Sequence, residues 1–311
     1  MFENFFNLGY HTYMKYDVAI VGSGPAGLTA GIFATRGGLK TICFDHSGFG
    51  GQAALSYDIS NYPGFNSISG YDLTEKMFEQ AKYNGVEFVD GKVELIKNQD
   101  CQFEIWVGGN KYLANKIIIA SGTIPKNLNI GEEKFVGKGV SYCASCDGSF
   151  FKNKSVAIVG GGDTAFEYAE YMSRIANKIY LLNRTEHFRA SDFRVVNARN
   201  VSNLEIITSA VVEKINGEDL VEEIECRVNG ELKKFKVEGL FVAIGHQPKV
   251  DFLDFKIDKD ENGYIVTDEN MQTSVKNVYA CGDVVKKHFR QVITACADGA
   301  IAGNSCITKE E

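Results

Sequence analysis

The chain is 311 residues long, 44% apolar and 23% charged, with a formal net charge of -7. That length holds about two ordinary domains with a sizeable core. The acidic balance, with no run of lysines or arginines, excludes the basic face that nucleic-acid phosphates demand.

No apolar run approaches the ~20 residues of a membrane-spanning helix. The N-terminus contains Glu3 and lacks the basic start and continuous apolar stretch of a secretory signal. A cytoplasmic protein with no membrane partner is therefore expected. Residues 1–13 precede the first patterned segment and are expected to be a lid or a mis-assigned start, without a catalytic role. Eight cysteines are present, mostly scattered singly, which in a chain of this kind predicts buried free thiols rather than a disulfide framework.

Taken in order, YDVAIVGSGPAGLTAGIFATR (16–36) predicts a buried strand, a glycine turn and a helix. The turn is Gly22-x-Gly24-Pro25-Ala26-Gly27, in which missing side chains let backbone amides approach a pyrophosphate at a helix N-terminus. A second strand, KTICFD, ends in Asp45, placed to hold a ribose hydroxyl. KIIIASGTIPKNL (116–128) then shows an apolar strand, Gly122, and a polar stretch with proline, the punctuation of a chain leaving a sheet.

Beyond that crossing lies GVSYCASCDGSFFKN (139–153), which sets Cys143 and Cys146 two residues apart with Asp147 directly behind. A zinc site would need four ligands, and no second C-x-x-C or C-x-x-H is present. An inert disulfide closing so small a loop would constrain little of the unfolded chain. A redox pair fits better: the C-x-x-C arrangement lowers a thiol pKa from ~8.5 to about 3.5–7.5, and one sulfur can attack a partner while the other resolves the mixed disulfide. Asp147 can supply or take the proton that thiolate chemistry moves.

The strand–turn–helix unit then repeats. SVAIVGGGDTAFEYAEYMSR (155–174) carries Gly160-x-Gly162-Asp163-Thr164-Ala165, and its second strand, KIYLLNR, ends in Asn183 and Arg184, with Arg189 beyond. Guanidinium groups there suit a 2′-phosphate. Two such units predict two nucleotides, one commonly a flavin dinucleotide and the other a nicotinamide. GLFVAIGHQPKV (239–250) is a second crossing, and NVYACGDVV a further strand ending at Gly282-Asp283. The expected fold is α/β with two nested dinucleotide-binding, Rossmann-like domains: 1–122 with 245–311 for FAD, and an inserted 123–244 of pyridine-nucleotide type carrying the C-x-x-C.

GSGPAG (22–27), GGQ (50–52), NYPG (61–64), CASCDG (143–148), GGGDTA (160–165), FVAIG (241–245), GD (282–283) and RQVITA (290–295) together resemble the low-molecular-weight thioredoxin reductases, from about Tyr16 to the C-terminus. The resemblance implies a flavoenzyme, a homodimer by default, that passes electrons through FAD to the Cys143/Cys146 disulfide and on to thioredoxin. It implies that Cys146 lies nearest the flavin and that Cys143 attacks thioredoxin. Gly51, Gln52, Asn61, Gly122, Gly282, Asp283, Arg290, Gln291 and Val292 fall on positions expected to line the flavin.

The family pattern at the second nucleotide motif is His-Arg-Arg-x-x-x-Arg, of which Arg184 and Arg189 remain, and Tyr168 stands where the family has a second glutamate. NADPH held by those two arginines is the expected donor, with fewer charge-assisted bonds and weaker binding. Ferredoxin is the alternative donor. A non-enzymatic redox sensor is the alternative of another class. The flavin subunit of a peroxide-reducing system is a third, though its usual N-terminal thioredoxin-like region is lacking here. Because disulfide and nicotinamide sit on one lobe and must visit one flavin, the lobes are expected to alternate about Gly122-Thr123 and Gly245-His246.

Overall fold

The computed structural model describes residues 15–46, 48–56, 59–99 and 102–307; the N-terminal extension of residues 1–13 lies outside them. The chain opens with β1 (Lys15–Val21), α1 (Pro25–Arg36), β2 (Thr41–Asp45), the short α2 (Gly51–Ala54), α3 (Gly70–Tyr83) and β3 (Glu87–Asp90). A meander follows: β4 (Val93–Gln99), β5 (Gln102–Val107) and β6 (Asn110–Ile119).

Next come β7 (Thr123–Pro125), β8 (Val140–Ser141), α4 (Ala144–Asp147), β9 (Ser155–Val159), α5 (Asp163–Ser173), β10 (Lys178–Leu182), α6 (Asp192–Arg199) and β11 (Leu204–Ile207). After β12 (Ala210–Asn216), β13 (Glu223–Val228), β14 (Glu231–Lys236) and β15 (Gly239–Val242), the chain returns through β16 (His246–Pro248) to β17 (Val278–Ala280) and α7 (Val292–Ser305).

Contacts divide it into two compact units, one running to Gly122 and resuming at Pro248, the other Thr123–Gln247. The return crossing thus falls three residues later than the 244/245 boundary expected from sequence. The glycine of that crossing, Gly245, stays with the inserted unit because its carbonyl accepts from Lys126 N–H at 2.9 Å.

In the first unit the sheet order is β3-β2-β1-β6-β5-β4, with β17 also on β6. β6 serves two ladders. Its N-terminal half pairs antiparallel with β5, and its C-terminal half pairs parallel with β1 and β17. β1 alternates between two cores: Val18 and Ile20 pack with Leu28, Ile32 and Ala302, while Ala19 and Val21 pack with Phe44, Ile119 and Ala280. A strand buried on both faces must be apolar throughout its buried length, hence VAIV at 18–21. The second unit repeats the plan in small, a parallel sheet β11-β10-β9-β15-β8 with a separate antiparallel sheet β12-β13-β14. In both units each glycine turn sits at the carboxyl end of the central strand, where open α/β sheets bind ligands.

Candidate nucleotide and dithiol sites

The first glycine turn is shaped by close backbone approach. Gly22 has φ +102°, and a Cβ there would lie 2.4 Å from Ala120 O; one on Gly27 would lie 1.9 Å from Gly22 O. Gly24, the N-cap of α1, instead has nothing within 4 Å of its Cβ position. The turn is therefore tight where it packs and open at the mouth of α1, a side-chain-free cradle of backbone amides that fits a dinucleotide pyrophosphate.

Pro25 fills N1, where no amide is needed. Gly51 lies against Gly24, and Gly282 lies against Ala26, so the Gln52 and Asp283 turns border the same helix end. Asp45 is placed at the turn, accepting from Ser23 N–H at 2.7 Å and Ser23 O–H at 2.8 Å through Oδ2. Its carboxylate thereby organises the loop as well as marking the end of β2.

Asn61 donates to Gln291 Oε1 at 3.0 Å, which brings together two residues 230 apart in sequence. Gln291 caps α7 through a reciprocal bond with Thr294, so Val292 starts that helix in fixed register. Arg290 also has partners within its own loop. Its guanidinium donates to the carbonyls of Asp283, Val285 and Lys287 at 3.1–3.4 Å and stacks 4.0 Å over the Tyr264 ring. It fixes the turn that carries Gly282 and Asp283.

The second turn follows the same logic with one addition. Gly162 is the open N-cap of α5, preceding Asp163, Thr164 and the buried Ala165, while a Cβ on Gly161 would lie 2.2 Å from Asn183 Oδ1. Asn183 is buried and its amide donates to Thr185 O, Thr185 Oγ1 and His187 O at 2.8–3.2 Å. Arg189 N–H returns to Gly161 O at 2.7 Å. Asn183 is thus a loop organiser that leaves Arg184 and Arg189 exposed, lining one cavity with Gly161, Thr185 and His187. The set fits an anionic nucleotide group. Asp163 accepts from Ser191 N–H at 2.9 Å and Ser191 O–H at 3.1 Å, which ties the head of α5 to the head of α6.

The cysteine pair precedes the second turn in sequence, within the same unit. Cys143 and Cys146 form a disulfide with Cα atoms 5.4 Å apart, at the N-terminus of α4. Cys143 is the N-cap, with φ -141° and ψ 101°, and Cys146 N–H points at its Sγ at 3.2 Å. Cys143 is half-buried, Cys146 exposed and Asp147 half-buried. Ser141 O–H donates to Cys143 O at 3.1 Å and accepts from Cys143 N–H at 3.0 Å. Tyr168 O–H donates to Tyr142 O at 2.7 Å. Ser141 carries no sequence signal, and Tyr168 is marked only by its departure from the family pattern; the contacts exist only once β8 and α5 are folded. Among the described residues no cluster of three or more His, Cys, Asp or Glu side chains could hold a metal, and no helix is long and apolar enough to cross a membrane. Cys43, Cys226, Cys281, Cys296 and Cys306 are unpaired and buried.

Upstream of the pair sits a fully buried carboxylate, Glu132, which accepts from the amides of Leu128 and Ile130 and from Tyr142 O–H. Burial alone would push its pKa up; the surrounding backbone amides outweigh that and hold it below the ordinary carboxylate value. Stability linked to a lowered pKa is fully present above the unfolded value of about 4.3 and is lost as pH falls through the lower folded value. Glu132→Gln is expected to destabilise the second unit by about 1–3 kcal/mol at neutral pH. The melting-temperature gap from wild type should narrow below about pH 4. A gap that stays constant from pH 7 to pH 3 would contradict this linkage.

Residues 16–299 match the pyridine nucleotide-disulphide oxidoreductases. The thioredoxin reductase of Peptoclostridium acidaminophilum is 40% identical over 306 residues, covering 92% of this chain and 94% of that one. That of Bacillus subtilis (strain 168) is 38% identical over 295 residues, covering 93% of each. Among solved structures, Lactococcus lactis thioredoxin reductase matches with a TM-score of 0.89 at 36% identity, covering 94% of this chain and 97% of that one. Two nucleotide-type glycine turns and a C-x-x-C disulfide on one chain are the parts of a dinucleotide-dependent enzyme that works on disulfides. The chain belongs to the pyridine nucleotide-disulphide oxidoreductase family.

Proposed function

We propose that this protein is a thioredoxin reductase that uses bound FAD, NADPH and the Cys143/Cys146 disulfide. The observation that carries the reading is the disulfide itself, closed at the N-cap of α4 in the same unit as the Gly160–Ala165 turn. Similarity to thioredoxin reductases over more than nine-tenths of the chain supports it.

FAD would be held at Gly22, Gly24, Pro25, Ala26 and Gly27, with Asp45 at the ribose end and Gly51, Gln52, Asn61, Gly122, Gly282, Asp283, Gln291 and Val292 around it. Arg290 contributes by fixing the Asp283 turn. NADPH would be held at Gly160, Gly162, Asp163, Thr164 and Ala165, with Arg184 and Arg189 on the 2′-phosphate. When bound, the flavin supplies two-electron transfer from nicotinamide to disulfide.

The residues of the chain do the rest. Two electrons and one proton from solvent break the Cys143–Cys146 bond, leaving a thiolate and a thiol. Thiolate at Cys143 is favoured by the Cys146 N–H aimed at its sulfur. That thiolate attacks the disulfide of thioredoxin, forming a mixed disulfide and releasing one thioredoxin sulfur. Cys146, its proton passed to the Asp147 carboxylate or to water, then attacks Cys143 Sγ. The intramolecular disulfide re-forms and thioredoxin leaves with both sulfurs reduced.

The deciding experiment is flavin absorbance of the purified protein, followed by thioredoxin-disulfide turnover with NADPH, NADH or reduced ferredoxin in turn. Protein that cannot take up FAD, or that leaves thioredoxin oxidised with every donor, would sink the reading. For the donor, Arg184→Ala and Arg189→Ala are each expected to raise KM for NADPH by about tenfold, the loss of one charge-assisted bond, and to leave KM for NADH unchanged. If ferredoxin reduces the enzyme and neither nicotinamide does, NADPH is the wrong donor.

A further inference from the structure

We propose that Tyr168, acting with the Ser141 hydroxyl on the other side of the same peptide, is a positioning residue for the nucleophile: together they bracket the backbone of Cys143 and fix its sulfur at the head of α4. The proposal rests on the reading of Cys143 as the attacking sulfur.

The bracket is built on the peptide between Tyr142 and Cys143. Its carbonyl accepts from Tyr168 O–H at 2.7 Å, and its N–H donates to Ser141 Oγ at 3.0 Å. The next peptide is held too, because Ser141 O–H and Asp147 N–H both donate to Cys143 O, at 3.1 and 3.2 Å. The Ala144 amide bears on the Tyr168 oxygen as well, opposing the rise of its pKa. Every backbone polar group flanking the Cys143 side chain thus has a fixed partner.

The partners are themselves rigid. Ser141 is buried at the end of β8. The Tyr168 ring meets Phe241 of β15 edge-on at 6.5 Å, and Phe241 in turn meets Phe151 at 5.2 Å. Burial, seconded by Glu167, pushes the Tyr168 hydroxyl up to about 12, so at neutral pH it keeps its proton and donates.

The bracket matters in the reduced enzyme. While the disulfide is closed, the S–S bond alone holds Cys143 against Cys146. Once that bond is broken, the sulfur stays under the Cys146 N–H only if the Cys143 backbone keeps its extended conformation. An ionised carboxylate in place of Tyr168 has no proton to offer the Tyr142 carbonyl. The bracket is therefore tied to the position where this chain departs from the family pattern.

The test uses full-length, FAD-loaded protein carrying Cys146→Ser, in which iodoacetamide alkylation of the Cys143 peptide is followed by mass spectrometry from pH 5 to pH 10. Tyr168→Phe, which keeps the ring and removes only the oxygen, is expected to raise the apparent pKa of Cys143 by about one unit. At pH 7 the alkylation rate then falls roughly tenfold, while the plateau at high pH is unchanged. Ser141→Ala should act in the same direction. Melting temperature should move by no more than a few degrees, since no packing is lost. The carboxylates of α4 and α5, namely Asp147, Asp163, Glu167 and Glu170, are common to all variants and cancel in the comparison.

An unchanged alkylation profile in both variants would overturn the bracket, as would equal slowing at every pH, which marks a merely structural effect. Alkylation needs no thioredoxin. Wild-type protein inactive toward thioredoxin would therefore overturn the functional reading separately.

Discussion

Cys143→Ser and Cys146→Ser are each expected to lower thioredoxin reduction by on the order of 10³-fold or more, because a serine hydroxyl can neither form nor resolve the disulfide. Flavin content should stay at the wild-type level, since the pair belongs to the second unit and the first glycine turn to the other. The two variants should also differ. With Cys143 retained as the half-buried N-cap and Cys146 removed, attack on thioredoxin proceeds but resolution fails, so Cys146→Ser should accumulate a mixed disulfide visible on a non-reducing gel. Cys143→Ser should not. Mixed disulfide with Cys143→Ser alone would reverse the order of the two sulfurs, and near-wild-type turnover in either variant would end the dithiol mechanism.

The second large effect lies in the first glycine turn, where the two glycines flanking Pro25-Ala26 should respond in opposite ways. Gly27→Val places a side chain where a Cβ alone would already be 1.9 Å from the Gly22 carbonyl oxygen. Backbone cannot yield as a flexible side chain does, so the cost is about 3 kcal/mol or more, a fall of roughly 6–12 °C in melting temperature for a unit of this size. Flavin should be lost with it. Gly24→Ala meets nothing within 4 Å and its φ of -70° suits any residue. That variant should fold with an unchanged melting temperature, yet bind flavin more weakly because its methyl projects into the open mouth of α1. If Gly24→Ala kept full flavin affinity, the pyrophosphate would have to lie elsewhere.

Much of this arrangement is legible in the sequence because its causes are local. A strand buried on both faces has to be apolar, a turn passing under a carbonyl has to be glycine, and a C-x-x-C turn closes within four residues. Hence both strand–turn–helix units and the cysteine pair can be read from spacing. What escapes is set by distant contacts. Glu132 sits in GEEKF, which reads as a solvated charge run, yet it is fully buried because the 127–132 loop folds its amides around the carboxylate. Asn183 ends a strand where a ribose or phosphate ligand is looked for, but its amide is spent on Thr185 and His187. Arg290 invites a ligand role from its neighbours in sequence, and the fold turns it onto three carbonyls of its own loop. Polar side chains can serve the backbone or a ligand equally well, and only the fold decides which is nearer.

The five unpaired cysteines among the described residues have a bearing on where electrons can go. Thiol–disulfide exchange requires a thiolate with access to its target, and a chain built to deliver electrons to one sulfur pair must not let its other sulfurs compete. Burial pushes Cys226 and Cys306 up to about 12 and raises Cys43, Cys281 and Cys296 as well. At neutral pH a thiol titrating near 12 is ionised in only on the order of one molecule in 10⁵. Among the described cysteines the protein is therefore insulated wiring with a single exposed contact. Among the described residues, reducing equivalents arriving at Cys143 and Cys146 meet only buried thiols as internal competitors, so Cys143 and Cys146 are the contact open to a thiol reagent there.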